Sequence, residues 1–321
     1  MTTRVRITDV SPRDGLQNEP GVIASADKLR LIEALCMCGL DEVEITSFVS
    51  PKWVPQLADA GEVVTGVRTF AEGVRQVAGT MPDRMGARDV LPTFSVLVPN
   101  EKGFDRALGA HESGLPLKVA LFTAASETFS QKNTNTSIAG TIERFAPVVE
   151  GALAAEMSLR LYVSCAVACP FEGPIGPAAV RRVVDLLDEL VETQAQRTSL
   201  DIDLGDTIGV AEPNDITALL DEFDDAERAR LTLHLHDTHG RAADCVRTAL
   251  DLGVASFDGS VAGIGGCPYA STPDSRAPGN LDTLTLVRTV HDAGFETGVD
   301  LDELEHAARI AREVVSKGAH A

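Results

Sequence analysis

Two histidines set two apart, just ahead of a glycine turn, are the first residues here whose types and spacing could do chemistry. They lie in Leu231-Thr-Leu-His-Leu-His-Asp-Thr-His-Gly240, where Leu231, Leu233 and Leu235 alternate with Thr232, His234 and His236. A period of two is a strand signal, and it puts His234 and His236 on one face. At the C-terminal end of a strand, two such imidazoles can converge on one cation, and neutral imidazole is a common nitrogen ligand for divalent metals. A polar strand face with hydrogen-bonded histidines satisfies the same pattern. The deciding residues therefore lie elsewhere in the chain.

Hydrophobic periodicity gives strands over residues 4–10, 42–48, 93–98, 117–123, 159–165, 201–206, the histidine stretch and 256–261. Helical spacing falls between them: 25–40, capped by Ser25 and closed by Gly39, then 55–76 and a helix after each of strands three and four, the second over 138–155. Further helices span 177–194, where Pro177 suits a first turn, a segment opening at Pro213, then 241–252 and 281–293. Eight strands alternating with eight helices predict an α/β fold of the (β/α)8 TIM-barrel type over residues 1–298. The alternative, an open doubly wound sheet, lacks the glycine-rich dinucleotide fingerprint. Over 299–321, Leu301, Leu304, Ala308, Ala311 and Val315 recur at helical spacing, so an additional C-terminal helix should pack on the barrel.

The 321 residues are 44% hydrophobic but only 4% aromatic, which predicts a core of Val, Leu, Ile and Ala. A formal charge of −20 argues against a nucleic-acid surface, which needs clustered Lys and Arg. No run of about 18 apolar residues offers a membrane span. The opening Met1-Thr-Thr-Arg-Val-Arg passes at once into a strand, with no leader-like stretch, so a cytoplasmic protein is expected. Six cysteines are too few for a disulfide framework, and Cys165 and Cys169 lack paired ligands at zinc-finger spacing. Cys36, Cys38 and Cys245 read as small buried hydrophobes.

In a barrel of this kind the reactive residues belong at the C-terminal strand ends. Arg13 and Asp14 follow strand one, Glu44 lies in strand two and Asp206 ends strand six. His234 and His236 are on strand seven, and Cys267 and Asn280 follow strand eight. One Asp oxygen, two His nitrogens and one Asn oxygen make a mixed set that suits six-coordinate Mg²⁺ or Mn²⁺ better than a closed zinc site. Cys267 lies in the glycine-rich Val261-Ala-Gly-Ile-Gly-Gly-Cys-Pro-Tyr-Ala270, where a loop can act as a lid and a thiol can donate or take a proton.

Five stretches together resemble the 3-hydroxy-3-methylglutaryl-CoA lyase family of metal-dependent TIM-barrel lyases, relatives of the isopropylmalate and homocitrate synthases. They are Ser11-Pro-Arg-Asp-Gly-Leu-Gln-Asn-Glu19, Glu44-Ile-Thr-Ser-Phe-Val-Ser-Pro-Lys-Trp-Val-Pro55, Leu204-Gly-Asp-Thr-Ile-Gly209, His234-Leu-His-Asp-Thr238 and Gly265-Gly-Cys-Pro-Tyr-Ala270. The last looks like the lyase branch and not the synthases. The resemblance implies that Asp14, His234, His236 and Asn280 bind the divalent cation and that Arg13 stabilises an enolate. It also implies that Cys267 is an acid/base group and that Glu44 and Asp206 support the site.

The implied reaction is cleavage of 3-hydroxy-3-methylglutaryl-CoA to acetyl-CoA and acetoacetate, with either Asp14 or His234 as the base for the hydroxyl. One departure from the family's pattern is Ser271-Thr-Pro-Asp-Ser-Arg-Ala-Pro278, about four residues more than the family spacing and a length that a loop accommodates cheaply. It leaves open a lyase for a longer ester such as the isohexenylglutaryl thioester. The other rivals are a Claisen-type synthase and, against the complete set of Arg13, Asp14, both histidines and Cys267, a silent metal- or CoA-binding protein. The expected partners are a small acyl-CoA and a second copy in a dimer. Lys52 and Lys132 lie on strand-end loops where a phosphate could meet them, although a lone lysine is more often a solvated one.

Overall fold

In the computed structural model, residues 4–80, 91–191, 196, 200–266 and 279–319 are described, those of 78–80 by backbone alone. Eight parallel strands close on themselves: β1 Arg6–Asp9, β2 Glu42–Ser47, β3 Thr93–Leu97, β4 Leu117–Ala124, β5 Leu159–Ser164, β6 Leu200–Asp206, β7 Leu231–Leu235 and β8 Ser256–Gly259. The seam pairs Arg6 with Ser256 through Asp9 with Gly259, and β7 meets β8 at His234–Asp258.

The helices are α1 Ser25–Cys36, α2 Ala60–Thr80, α3 Glu101–Glu112, α4 Glu127–Thr134, α5 Ile138–Ala154, α6 Pro177–Asp188, α7 Pro213–Leu220, α8 Asp225–Arg228, α9 Ala242–Asp251, α10 Thr283–Asp292 and α11 Leu301–Gly318. The (β/α)8 expectation is met, with local differences. Residues 55–57 form a separate 3-10 turn before α2, because Pro55 opens a turn that ends at Ala58. An unforeseen helix, α4, follows β4; Ser126 caps it by accepting from Phe129 N, while its mostly polar sequence hides helical periodicity. Helix α11 buries Leu304, Ala307, Ala308, Ala311 and Val314 and is tied to α1 by Lys317–Asp27 and Arg30–Glu313. Among the described residues no helix is long and apolar enough to cross a membrane.

Between strands and helices the core is aliphatic, as composition predicts. The barrel lumen is not. Arg160 on β5 is 1% exposed and reaches across the ring to Thr8 on β1 (3.0 Å), Glu42 on β2 (3.1 Å) and Asp203 on β6 (2.6 Å), and also bonds Asp258 on β8. Below it, Lys118 on β4 holds Glu42 (2.7 Å) and Asp201. Alternation along each strand sends one set of side chains to the helices and the other inward. Leu159, Leu161 and Val163 therefore join the main core, while Arg160 and Tyr162 fill the lumen, where bulky aliphatic layers are usual in such barrels.

Candidate active site at the C-terminal mouth

Directly after β1 the chain makes one wide turn, Ser11–Gly15, with Pro12 in its first turn. Three successive amides, of Arg13 (3.2 Å), Asp14 (2.8 Å) and Gly15 (3.2 Å), donate to the single carbonyl of Val10. The turn needs glycine at its end, since a Cβ on Gly15 would lie 2.8 Å from Ile264 and 2.9 Å from Ser260. Asp9, fully buried, accepts from Ser11 N (2.9 Å), Val261 N (3.0 Å) and Thr283 Oγ1 (2.6 Å), joining this turn to the end of β8 and the start of α10. Burial outweighs those bonds and pushes its carboxyl up to about 6.

The turn delivers Arg13 and Asp14 to the barrel mouth. Arg13 donates from Nε to Glu44 (2.6 Å) and from Nη1 to Asp14 (2.7 Å), and its guanidinium stands 5.5 Å from the Tyr162 ring. Among the described residues its Nη2 has no partner. Asp14 also accepts from Gln17 Nε2 (2.8 Å) and from Asn280 Nδ2 (2.8 Å). Asn280 reaches it because residues 279–282 run beside the end of β7: Asp237 N donates to Gly279 O, and Leu281 N to Leu235 O. Gly265 (φ +100°) allows this approach, as a Cβ there would sit 2.8 Å from Asn280 Nδ2.

His234 and His236 bring their Nε2 atoms to 3.2 Å from one another. Ligand atoms of Asp14, His234 and His236 all lie within 4.8 Å of one another. The carbonyl oxygen of Asn280 and Nδ1 of His236 are buried without a partner among the described residues. A cation would suit this geometry: donor atoms of a carboxylate and two imidazoles converge on one point, and a buried amide oxygen would gain a partner. A carboxylate, two imidazoles and an amide fit Mg²⁺ or Mn²⁺, with positions left for substrate oxygens.

The charges are set by mutual proximity. Burial alone would raise Asp14, but Arg13 and the two imidazoles outweigh it and hold the carboxyl below its usual range. Burial alone would lower His234, but the hydrogen bond and charge of Asp258, then Asp14, lift it to about 9. Burial and the charge of His234 push His236 down to about 4. Of these three groups, only His234 therefore carries a proton that a cation binding here would have to displace at neutral pH. Mn²⁺ affinity should rise about tenfold per pH unit from 7 toward 9 and then level off, with about one proton released per ion. Calorimetry in buffers of differing ionisation enthalpy measures this; a flat profile would show that His234 is not a ligand.

Glu44 is fully buried, its carboxyl raised by burial against the opposing charge of Arg13, and it accepts from Tyr162 OH (3.2 Å) as well as Arg13. Asp206 stands apart from this cluster. It accepts from Val210 N (3.2 Å) and Ala211 N (2.9 Å), shaping the loop after β6. Cys267 lies outside the described residues. Lys132 stacks over the Phe171 ring at 3.9 Å, and Cys36, Cys38 and Cys245 are buried. Above the cluster opens a cavity of about 710 Å³, walled by Tyr162, Leu97 and Phe122 and rimmed by Trp53, Lys132 and Arg144.

Sequence reading missed Asp9, Gln17, Arg160, Tyr162 and Asp258. Arg160 between Leu159 and Leu161, and Asp258 after Phe257, mark polar strand positions without saying which way they point.

A closed (β/α)8 barrel with titratable groups converging at its C-terminal mouth defines the class as a TIM-barrel enzyme. The chain matches the family model described as HMGL-like over residues 4–311 and belongs to that family. It is 40% identical over 315 residues to the mitochondrial hydroxymethylglutaryl-CoA lyase of Pongo abelii, covering 98% of this chain and 86% of the relative. It is likewise 40% identical to the 3-hydroxy-3-isohexenylglutaryl-CoA/hydroxy-methylglutaryl-CoA lyase of Pseudomonas aeruginosa, covering 98% and 94%. The HMG-CoA lyase structure from Brucella melitensis superimposes with a TM-score of 0.82 at 41% identity, covering 98% and 99%.

Proposed function

We propose that this chain is a carbon–carbon lyase that cleaves 3-hydroxy-3-methylglutaryl-CoA to acetyl-CoA and acetoacetate. The observation that carries the reading is the convergence of Asp14, His234 and His236 beside Arg13 under a ligand-sized cavity, in a chain with near-full-length lyase relatives. Asp14, His234, His236 and Asn280 would hold Mg²⁺ or Mn²⁺. When bound, the ion supplies Lewis acidity toward the C3 hydroxyl and a fixed orientation of the oxygens around it.

The chain's own groups do the rest. Asp14 would receive the hydroxyl proton, since the two nitrogens of His234 would be taken by the ion and by Asp258. The C2–C3 bond then breaks and leaves acetoacetate and the acetyl-CoA enolate. Arg13 faces the charge building on the thioester oxygen; Glu44 and Asp14 hold two of its donors, and Nη2 is left for the substrate. A preorganised donor at such a position contributes about 3–4 kcal/mol to the transition state. Cys267 is assigned, from its sequence context, to return a proton to the enolate carbon.

The test is release of acetoacetate and acetyl-CoA with and without EDTA. Activity should vanish on chelation and return with Mg²⁺ or Mn²⁺. Cleavage indifferent to EDTA contradicts the cation reading, and consumption of acetyl-CoA with release of free CoA would identify a synthase instead. The doubly named Pseudomonas relative favours a second substrate, the isohexenyl ester, for which the ratio of kcat/KM on the two thioesters decides.

A further inference from the structure

The two imidazoles of the cluster are not held alike. Register places Asp258 beside His234 on neighbouring strands, and its Oδ2 lies 3.1 Å from His234 Nδ1. The corresponding Nδ1 of His236 is buried and has no partner among the described residues. Asp258 is itself braced, because its Oδ1 accepts from Arg160, which is anchored in turn on Thr8, Glu42 and Asp203. The orientation of one ring is thus tied to five strands, while the other has only the Nε2 contact with His234 among its side-chain hydrogen bonds to described residues.

We propose that Asp258 is a positioning residue: it takes the Nδ1–H of His234, fixes the ring's rotation, and presents the Nε2 lone pair toward Asp14 and His236. This rests on the cation reading above. A histidine ligand with its second nitrogen on a carboxylate is pre-oriented and more basic, and losing such a partner typically costs 10–100-fold in metal affinity.

The competing role for Asp258 is counter-ion to Arg160 and nothing more. Mn²⁺ titration followed by electron paramagnetic resonance separates the two, using Asp258→Asn, with Glu42→Gln as a change that also removes a charged partner from Arg160 but lies away from His234. Wild type should bind, Asp258→Asn should weaken Kd by about 10–100-fold, and Glu42→Gln should stay within about twofold. Unchanged affinity in Asp258→Asn, or equal loss in Glu42→Gln, overturns the proposal. A wild type that binds no Mn²⁺ removes the cation reading itself. Should Asp258→Asn fail to fold, ¹⁵N-histidine spectra of the Mg²⁺-loaded wild type decide: the His234 proton belongs on Nδ1, and finding it on Nε2 overturns the proposal.

Discussion

Replacing Arg13 by lysine should lower kcat about 10²- to 10³-fold, the range seen when one oxyanion donor is removed. The reason is geometric. The guanidinium serves Glu44 through Nε and Asp14 through Nη1 at once, and still offers Nη2 toward the cavity. An ammonium is a point charge on a flexible stem and cannot span three directions. Formal charge is unchanged, so net electrostatics predicts little effect and fork geometry predicts a large one. Steady-state kinetics with the CoA thioester, on protein whose Mn²⁺ affinity is checked first, separates these. A loss below about tenfold would place Arg13 away from the developing charge.

The largest expected effect on stability comes from the lumen. Arg160→Leu removes the cation shared by Glu42, Asp203 and Asp258; Glu42 keeps Lys118 and Asp258 keeps His234, but Asp203 loses its cation. Breaking a buried ion pair by removing one partner costs about 3–5 kcal/mol, because the remaining charge is left uncompensated. An exposed pair such as Arg288–Glu305 contributes about 0–1 kcal/mol by comparison. Urea unfolding should show the drop as a lower midpoint at constant slope. A decrease under about 1 kcal/mol would mean that the acids reprotonate without penalty, and that Arg160 is not what neutralises them.

How much of this was legible in sequence differs by residue. The barrel was readable because the strand positions packed against the helices are mostly aliphatic and the helices between them are amphipathic. His234 and His236 announced themselves through strict alternation ahead of a glycine turn, and Arg13 and Asp14 through their place after the first strand. The lumen was not readable. A run such as Leu159-Arg-Leu-Tyr-Val163 has the pattern of an antiparallel strand with one face in water, and nothing local says that ring closure turns the polar face inward. Asp258 and Arg160 were hidden for this reason. Asp9 was hidden because its partners, Val261 and Thr283, lie more than 250 residues away. The contact of Asn280 with Asp14 depends on a short backbone bridge to the end of β7, which no periodicity encodes.

The seam between β1 and β8 has a consequence for how activity arises during synthesis. Asp14 and Asn280 are 266 positions apart and touch only once the first and last strands are joined. A growing polypeptide therefore carries Asp14 from the start and gains its partner only when about seven-eighths of the residues have been made. A product that ends before Asn280 can never bring this amide to Asp14.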